Sequence, residues 1–230
     1  MARTINLVEH AVRRDTFIDA ALRLIQSKGY EEMSVQDVLD DVGASRGAFY
    51  HYFDSKTDLL EAVLERMIVQ ATESLEPLVA DQDMTATDKL SGAFAGIAAW
   101  KLARRDLLLA VMRVWLSDEN AIVREKLRTG TARNLTPLFA EIIGQGVAEG
   151  SFVVGSPGDA ARVFVSLILG ANESATQLAL AHEAGTISFE ELMHALRAYG
   201  EAFERILGAR PGSLTFVDEG VLREWFGRAE

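Results

Sequence analysis

Cysteine is absent from this 230-residue chain, which excludes a disulfide framework, a thiolate metal site and a thiol nucleophile. Proline is scarce, four in all, and no segment sustains the every-other-residue apolar pattern of a half-buried strand. Long apolar runs are missing too. The best, Val163 to Ala171 ("VFVSLILGA"), falls short of the roughly 18–20 residues of a membrane span and gives way to Asn172, Glu173 and Ser174. The opening stretch MARTINLVEHAVRRD lacks the apolar segment of a secretory signal. A cytoplasmic protein without membrane partners is the expectation. A surplus of positive charge is also lacking: the net charge is −11, which argues against a protein that coats nucleic acid by charge alone. Residues 1–60 carry seven Lys/Arg against ten Asp/Glu, and residues 61–230 sixteen against twenty-four. Any contact with nucleic acid must come from a small, locally oriented surface.

What the chain does have is helical periodicity, in a composition 49% hydrophobic and 25% charged that can bury a substantial core. Phe17, Ala20, Ala21, Leu24 and Ile25 form one apolar stripe on a first helix over about 12–27, stopped by Gly29. Ser34, with Asp37 three residues on, opens a second helix whose inner face is Val35, Val38, Leu39 and Val42. Gly43 and Ala44 make a tight turn. Ser45 caps a short third helix that ends near 53–54, and Ser55, with Asp58, caps a long fourth. Leu59, Leu60, Val63, Leu64, Met67 and Ile68 are its inner face, and Pro77 limits it. Further helices are predicted at about 85–104, 106–116, 119–149, 158–182 and 188–208. Ala209-Arg210-Pro211-Gly212 then reads as a linker to a short amphipathic helix carrying Val217, Val221, Leu222, Trp225 and Phe226.

Two short helices joined by a glycine turn, between one helix and a longer one, have the sequence form of a helix-turn-helix. The stretch "DVGASRGAFYHYFDSK" (41–56) fits that form in detail. Small residues at Gly47 and Ala48 let a helix backbone come close to a duplex. Arg46, one position after its cap, reaches a guanine edge or a phosphate. Tyr50 and Tyr52 offer hydroxyls to phosphates, and Lys56 stands at the N-terminus of the fourth helix, where anions are favoured. Phe49 and Phe53, four apart, point inward against the first and fourth helices. Asp37, Asp40 and Asp41 must face away from phosphates.

The segment "SVQDVLDDVGASRGAFYHYFDSKTDLLEAVLE" (34–65), extended back through "RRDTFIDAALRLIQSKGYEEMS" (13–34), resembles the DNA-binding region of the TetR family of transcriptional regulators. The glycine turn, the small residue before Tyr50, the pair Tyr52-Phe53 and Ser55-Lys56 followed by Leu59-Leu60 occur in the family's order. Tyr52 stands where the family often has histidine. Beyond residue 70 only the helical layout and the size match.

The resemblance implies an all-α homodimer, usually a repressor, that leaves its operator when a small molecule binds the larger domain. Its domains would be a helix-turn-helix head over 1–56, a helical ligand-binding and dimerisation domain over 57–208 with 57–76 as connecting helix, and a linker with a short C-terminal helix over 209–230. By motif position, Gln36, Ser45, Arg46, Gly47, Ala48 and His51 would face bases or the groove. Ser34, Tyr50, Tyr52 and Lys56 would hold phosphates of double-stranded DNA. The two long helices near 158–182 and 188–208 would build a dimeric four-helix bundle.

In the second domain Trp100, Met112, Trp115, Phe139 and Phe164 are ordinary core residues taken singly; together they could line a cavity for a hydrophobic or amphipathic effector. Asn134, Asn172 and Gln177 would either orient such a ligand or hydrogen-bond across helices. Gly170, Ala171, Ser174 and Ala175 permit close helix approach at a subunit interface, together with Phe189, Leu192, Met193, Leu196, Phe203 and Leu207. No cofactor is expected beyond an unidentified effector. An enzyme would need a nucleophile–base pair, a metal cluster or a phosphate cradle. The chain has no G-x-G-x-x-G, P-loop or G-x-S-x-G, and "HEAG" (182–185) lacks the second histidine of a zinc helix. His10, His182 and His194 read as solvated surface.

Overall fold

The structure is a computed structural model that describes residues 7–115, 120–216 and 219–226, with 7, 8, 112–115 and 224–226 described as backbone only. Among the described residues there are eleven α-helices and no strand. They are α1 (Leu7–Lys28), α2 (Val35–Val42), α3 (Arg46–Tyr50), α4 (Lys56–Glu73), α5 (Glu76–Ala80), α6 (Ala86–Leu102), α7 (Arg105–Trp115), α8 (Ala121–Glu149), α9 (Pro157–Glu183), α10 (Phe189–Leu207) and α11 (Glu219–Phe226).

The N-terminal helices begin and end where local chemistry dictates. Ser34 and Asp37 form a capping box: the Asp37 N–H donates to Ser34 Oγ at 3.1 Å, and the Ser34 N–H to the Asp37 carboxylate at 2.7 Å. Gly43 closes α2 in the left-handed region (φ +66°), a conformation that disfavours residues with a Cβ. Ser45 and Ser55 accept the N–H groups of Ala48 and Asp58 at 3.3 and 3.0 Å. Two boundaries differ from expectation. α1 starts five residues earlier, at Leu7, and α3 ends at Tyr50, after which residues 51–53 continue as a turn held by the Phe49 carbonyl.

The chain forms two compact units. The first runs to Val69 and takes in Asp106–Leu127; the second holds Gln70–Arg105 and Arg128 onward. This division differs from a boundary after residue 56. Leu59, Leu60, Ala62, Val63, Leu64 and Met67 of α4 are buried within the first unit, and Arg66 pairs there with Asp19 at 2.7 Å. The heart of that unit is aromatic. Phe17, Phe49 and Phe53 are fully buried, with ring centroids 5.7–6.1 Å apart. Burying each is worth roughly 1.5–3 kcal/mol. The crowding of aromatics at 49–53 is thus resolved: the two phenylalanines are core, and Tyr50 is outside.

The second unit packs α6, α8, α9 and α10 around Phe139, Phe164 and Phe203. Phe152 seats on the bare backbone of Gly146, where a Cβ would stand 2.0 Å from the ring. α10 turns Leu192, Met193, Leu196, Phe203 and Leu207 into this unit, each no more than 8% exposed. That corrects their assignment to a subunit interface, because their own chain has already taken up their surface. α9 is long and apolar enough to cross a membrane by length and composition, with a mean hydropathy of 1.3 over eighteen residues, although no uninterrupted apolar run announces it. It also carries Asn172 and Glu173, and its Phe164 and Val165 lie in the helical core.

Beyond α10 the chain does not run free. Leu214 is buried and Phe216 half-buried against the second unit, and α11 lies on α6. Val217 and the side chains of Trp225 and Phe226 lie outside the described residues.

Candidate nucleic-acid interface

α2 and α3 present the predicted reading surface to solvent. Ser34, Gln36, Ser45, Arg46, Gly47, Tyr50 and His51 are exposed, while Ala48, Tyr52 and Lys56 are half-buried. Tyr50 stands 51% exposed with its ring edge-on to Phe49 at 5.3 Å, so the core fixes its base and leaves its hydroxyl free to meet a partner. Arg46 has no carboxylate partner among the described residues. A glycine inside a helix costs about 1 kcal/mol relative to alanine. At Gly47, among the described residues, nothing beyond its own helix backbone and chain neighbours lies within 4 Å of where a Cβ would be, so internal packing does not call for glycine there. A low surface that the fold does not need suits the close approach of another body.

Two of the three carboxylates of the second helix are paired with cations, and the third is hydrogen-bonded. Asp37 pairs with Lys28 at 2.7 Å, Asp41 with Arg23 at 2.5 Å, and Asp40 accepts from Gln36 Nε2 at 2.8 Å. The Lys28 ammonium and the Ser34 cap hold the Asp37 carboxyl well below the usual carboxylate range. Lys56 Nζ donates to the Glu31 carbonyl at 3.1 Å and sits 4.3 Å over the Tyr30 ring. Partial burial lowers its pKa, opposed by the charges of Glu31, Glu32 and Asp37. The bond to Glu31 uses one of three ammonium donors and holds the charge over the turn that follows α1.

One neighbour of this surface was missed by sequence reasoning. His10, on α1, packs 4.6 Å from Tyr52 and 5.4 Å from His51. Its neighbours lie some forty residues away in sequence, so no local pattern announces the contact. Tyr52 also leans on Phe17 at 5.7 Å, which pins the turn that follows α3.

The other predicted residues do not converge. Phe139 and Phe164 are stacked in the core of the second unit at 5.2 Å, while Asn134 and Gln177 are exposed. Asn172 is exposed and accepts from Lys101 Nζ at 2.8 Å, and Trp100 carries the Arg104 guanidinium 4.3 Å over its ring. The side chains of Met112 and Trp115 lie outside the described residues. A shallow groove of about 470 Å³, lined by Val153, Ser156, Asp159 and Val163 among others, includes none of them. Gly170 is exposed and Ala171, Ala175 and Phe189 are half-buried, Phe189 under the Arg223 guanidinium; Ser174 Oγ meets the Tyr199 hydroxyl at 2.7 Å. Among the described residues no group of three His, Asp or Glu could hold a metal ion.

A capped helix pair with a free arginine, a bare glycine and an outward tyrosine defines a helix-turn-helix head of the kind that reads DNA. Residues 17–63 match the bacterial regulatory proteins of the tetR family. An HTH-type transcriptional regulator from Lactococcus lactis is 36% identical over 55 residues, 24% of this chain and 28% of its own length. The repressor KstR2 of Rhodococcus jostii is 23% identical over 154 residues, 61% of this chain and 68% of its own. SmeT, the repressor of the Stenotrophomonas maltophilia multidrug efflux pump SmeDEF, has the same fold, with a TM-score of 0.58 and 22% identity. That match covers 89% of this chain and 96% of SmeT, which has also been solved as a complex with triclosan. The chain spans only 23–32% of the length of the first curated relatives it matches. Over residues 17–63 it is similar to the TetR family of transcriptional regulators.

Proposed function

We propose that the protein binds a near-palindromic operator as a homodimer and represses transcription until a small molecule binds its second unit. The observation that carries the DNA reading is the surface of α3: Arg46 without a carboxylate partner among the described residues, Gly47 without an internal reason, and Tyr50 exposed over a buried Phe49. In a dimer the two α3 helices would enter successive major grooves about 34 Å apart. Arg46 with Gln36, Ser45 and His51 would read base edges; Ser34, Tyr50, Tyr52 and Lys56 would hold phosphates.

The dimer reading draws on α9. Its middle, from Ser166 to Leu178, carries apolar residues yet none that is buried, and Val163 is 55% exposed. Gly170, Ala171, Ser174 and Ala175 would let a second copy approach that helix. α4 is one continuous helix from Lys56 to Glu73, covalently joining the reading head to the second unit. An effector that favours a conformation with the wrong spacing between heads lowers DNA affinity by its own difference in affinity. The regulators this chain matches are not enzymes, and an enzymatic role draws no support from the geometry of the described residues.

The test is fluorescence anisotropy with duplex from upstream of the protein's own gene, against a scrambled duplex of equal length. The reading expects tighter binding to the upstream DNA, with two chains per site. Equal affinity for both duplexes over a full salt series overturns it.

A further inference from the structure

Residues 209–216 return across the second unit without forming a helix. Pro211 and Gly212 (φ +74°) turn the chain, and the Ser213 N–H closes that turn on the Arg210 carbonyl at 3.0 Å. Side chains of the bundle hold the strap down. Glu204 accepts the N–H groups of Gly212 and Leu214, one on each carboxylate oxygen, at 2.9 and 3.1 Å, and Ser91 Oγ accepts that of Thr215 at 3.3 Å. Glu204 is 8% exposed. A carboxylate so placed is costly unless its lone pairs are filled, and the strap fills them.

At the end of the strap the Phe216 ring enters an aromatic slot. Its centroid lies 4.8 Å from Phe94, 4.9 Å from Phe203 and 6.5 Å from Phe164. Beneath it is Gly200, a glycine inside α10, where a Cβ would stand 3.6 Å from the ring. Phe94 and Phe216 are both half-buried, so one side of the slot opens to water. A ring and a pair of N–H donors, on a segment with no regular structure of its own, occupy an aromatic wall and an acceptor-only carboxylate in the manner of a ligand.

Resting on the effector reading above, we propose that this slot is the effector site, and that an aromatic amine displaces residues 209–216. The ligand's ring takes the place of Phe216, and its N–H donors take those of Gly212 and Leu214 at Glu204. Two residues, no more than about 7 Å of chain, separate the Leu214 N–H from Phe216, so a molecule of one or two rings with a short amine arm spans both points. An aromatic carboxylate of the same shape is repelled by Glu204.

The experiment uses the full chain with 2-(naphthalen-1-yl)ethylamine as probe and 1-naphthylacetate as its anionic counterpart. Calorimetry gives the Kd, and hydrogen exchange by mass spectrometry follows the amides of 209–216. The amine is expected to bind at least tenfold more tightly than the acetate and to speed exchange of the strap at least tenfold. Phe216→Ala, which removes the internal competitor, tightens amine binding at least fivefold, and Glu204→Gln narrows the preference for amine over acetate. Failure of the amine to bind overturns the site, as does binding that leaves strap exchange unchanged or that Phe216→Ala does not alter. Operator affinity is read separately. Strap release with unchanged DNA affinity keeps the site and overturns its effector role; DNA release by a small molecule without strap release keeps the regulator reading and overturns the site.

Discussion

Replacing Lys56 with methionine separates charge from fold more cleanly than any other change at the proposed interface. Methionine keeps an unbranched apolar stem over Tyr30, so the packing of the side chain is largely retained. The lost bond to the Glu31 carbonyl and the lost cation–π contact with Tyr30 together cost on the order of 1–3 kcal/mol at this half-exposed site. The thermal unfolding midpoint of Lys56→Met is therefore expected to fall by a few degrees, with the protein still folded at assay temperature. DNA binding is expected to change in a defined way. Each phosphate neutralised on duplex DNA contributes about 0.9 to the slope of log K against log salt. A dimer carrying two Lys56 contacts loses about 1.8 from that slope. Between 50 and 200 mM salt, such a change makes the penalty of the substitution roughly twelvefold larger at the lower concentration.

Anisotropy of a labelled operator duplex across a potassium chloride series measures this directly. The same loss is expected on operator and on scrambled duplex, because a phosphate contact carries no sequence information. Burial lowers the Lys56 pKa, so on raising the pH its charge is lost ahead of that of exposed lysines. The wild-type salt slope then falls toward the variant's, and the variant's changes less. An unchanged slope in Lys56→Met, with the fold intact, refutes the assignment of this ammonium to a phosphate.

Three further outcomes follow from the geometry. Arg46→Ala is expected to weaken operator binding by about 1–3 kcal/mol while leaving random DNA less affected, measured by competition; equal losses on both argue against base reading. Gly146→Ala puts a Cβ 2.0 Å from the buried Phe152 ring, and overpacking of about 1–3 kcal/mol exceeds the gain of about 1 kcal/mol in helix propensity, so urea unfolding should show a destabilised protein; a raised midpoint contradicts the packing. Asp37 has a folded-state pKa below its unfolded one, so its contribution to stability is present above the ordinary carboxylate range and is lost as pH falls through the folded value. Asp37→Asn should accordingly destabilise the protein at pH 7 more than at pH 3, and equal effects at both refute the pairing with Lys28.

Most starts and stops of the first four helices were legible in the sequence because their determinants are local. Ser34 with Asp37, Ser45 with Ala48 and Ser55 with Asp58 act across three residues, and Gly43 needs only its own backbone angle. Such bonds close within one helical turn, so the order of residues along the chain states them outright. The inward pair Phe49 and Phe53 follows from the same short arithmetic.

Long-range packing is not written that way. An apolar stripe such as Leu192 to Leu207 announces that it will be buried without saying by which surface, and the fold resolved it in favour of its own chain. His10 acquires its role from Tyr52 and His51, and Glu204 from two amides on a segment whose Pro-Gly turn reads as a linker. Helix starts, stops and faces come from neighbours in sequence; the partner each face meets depends on where distant segments arrive, and that is decided only when the core closes.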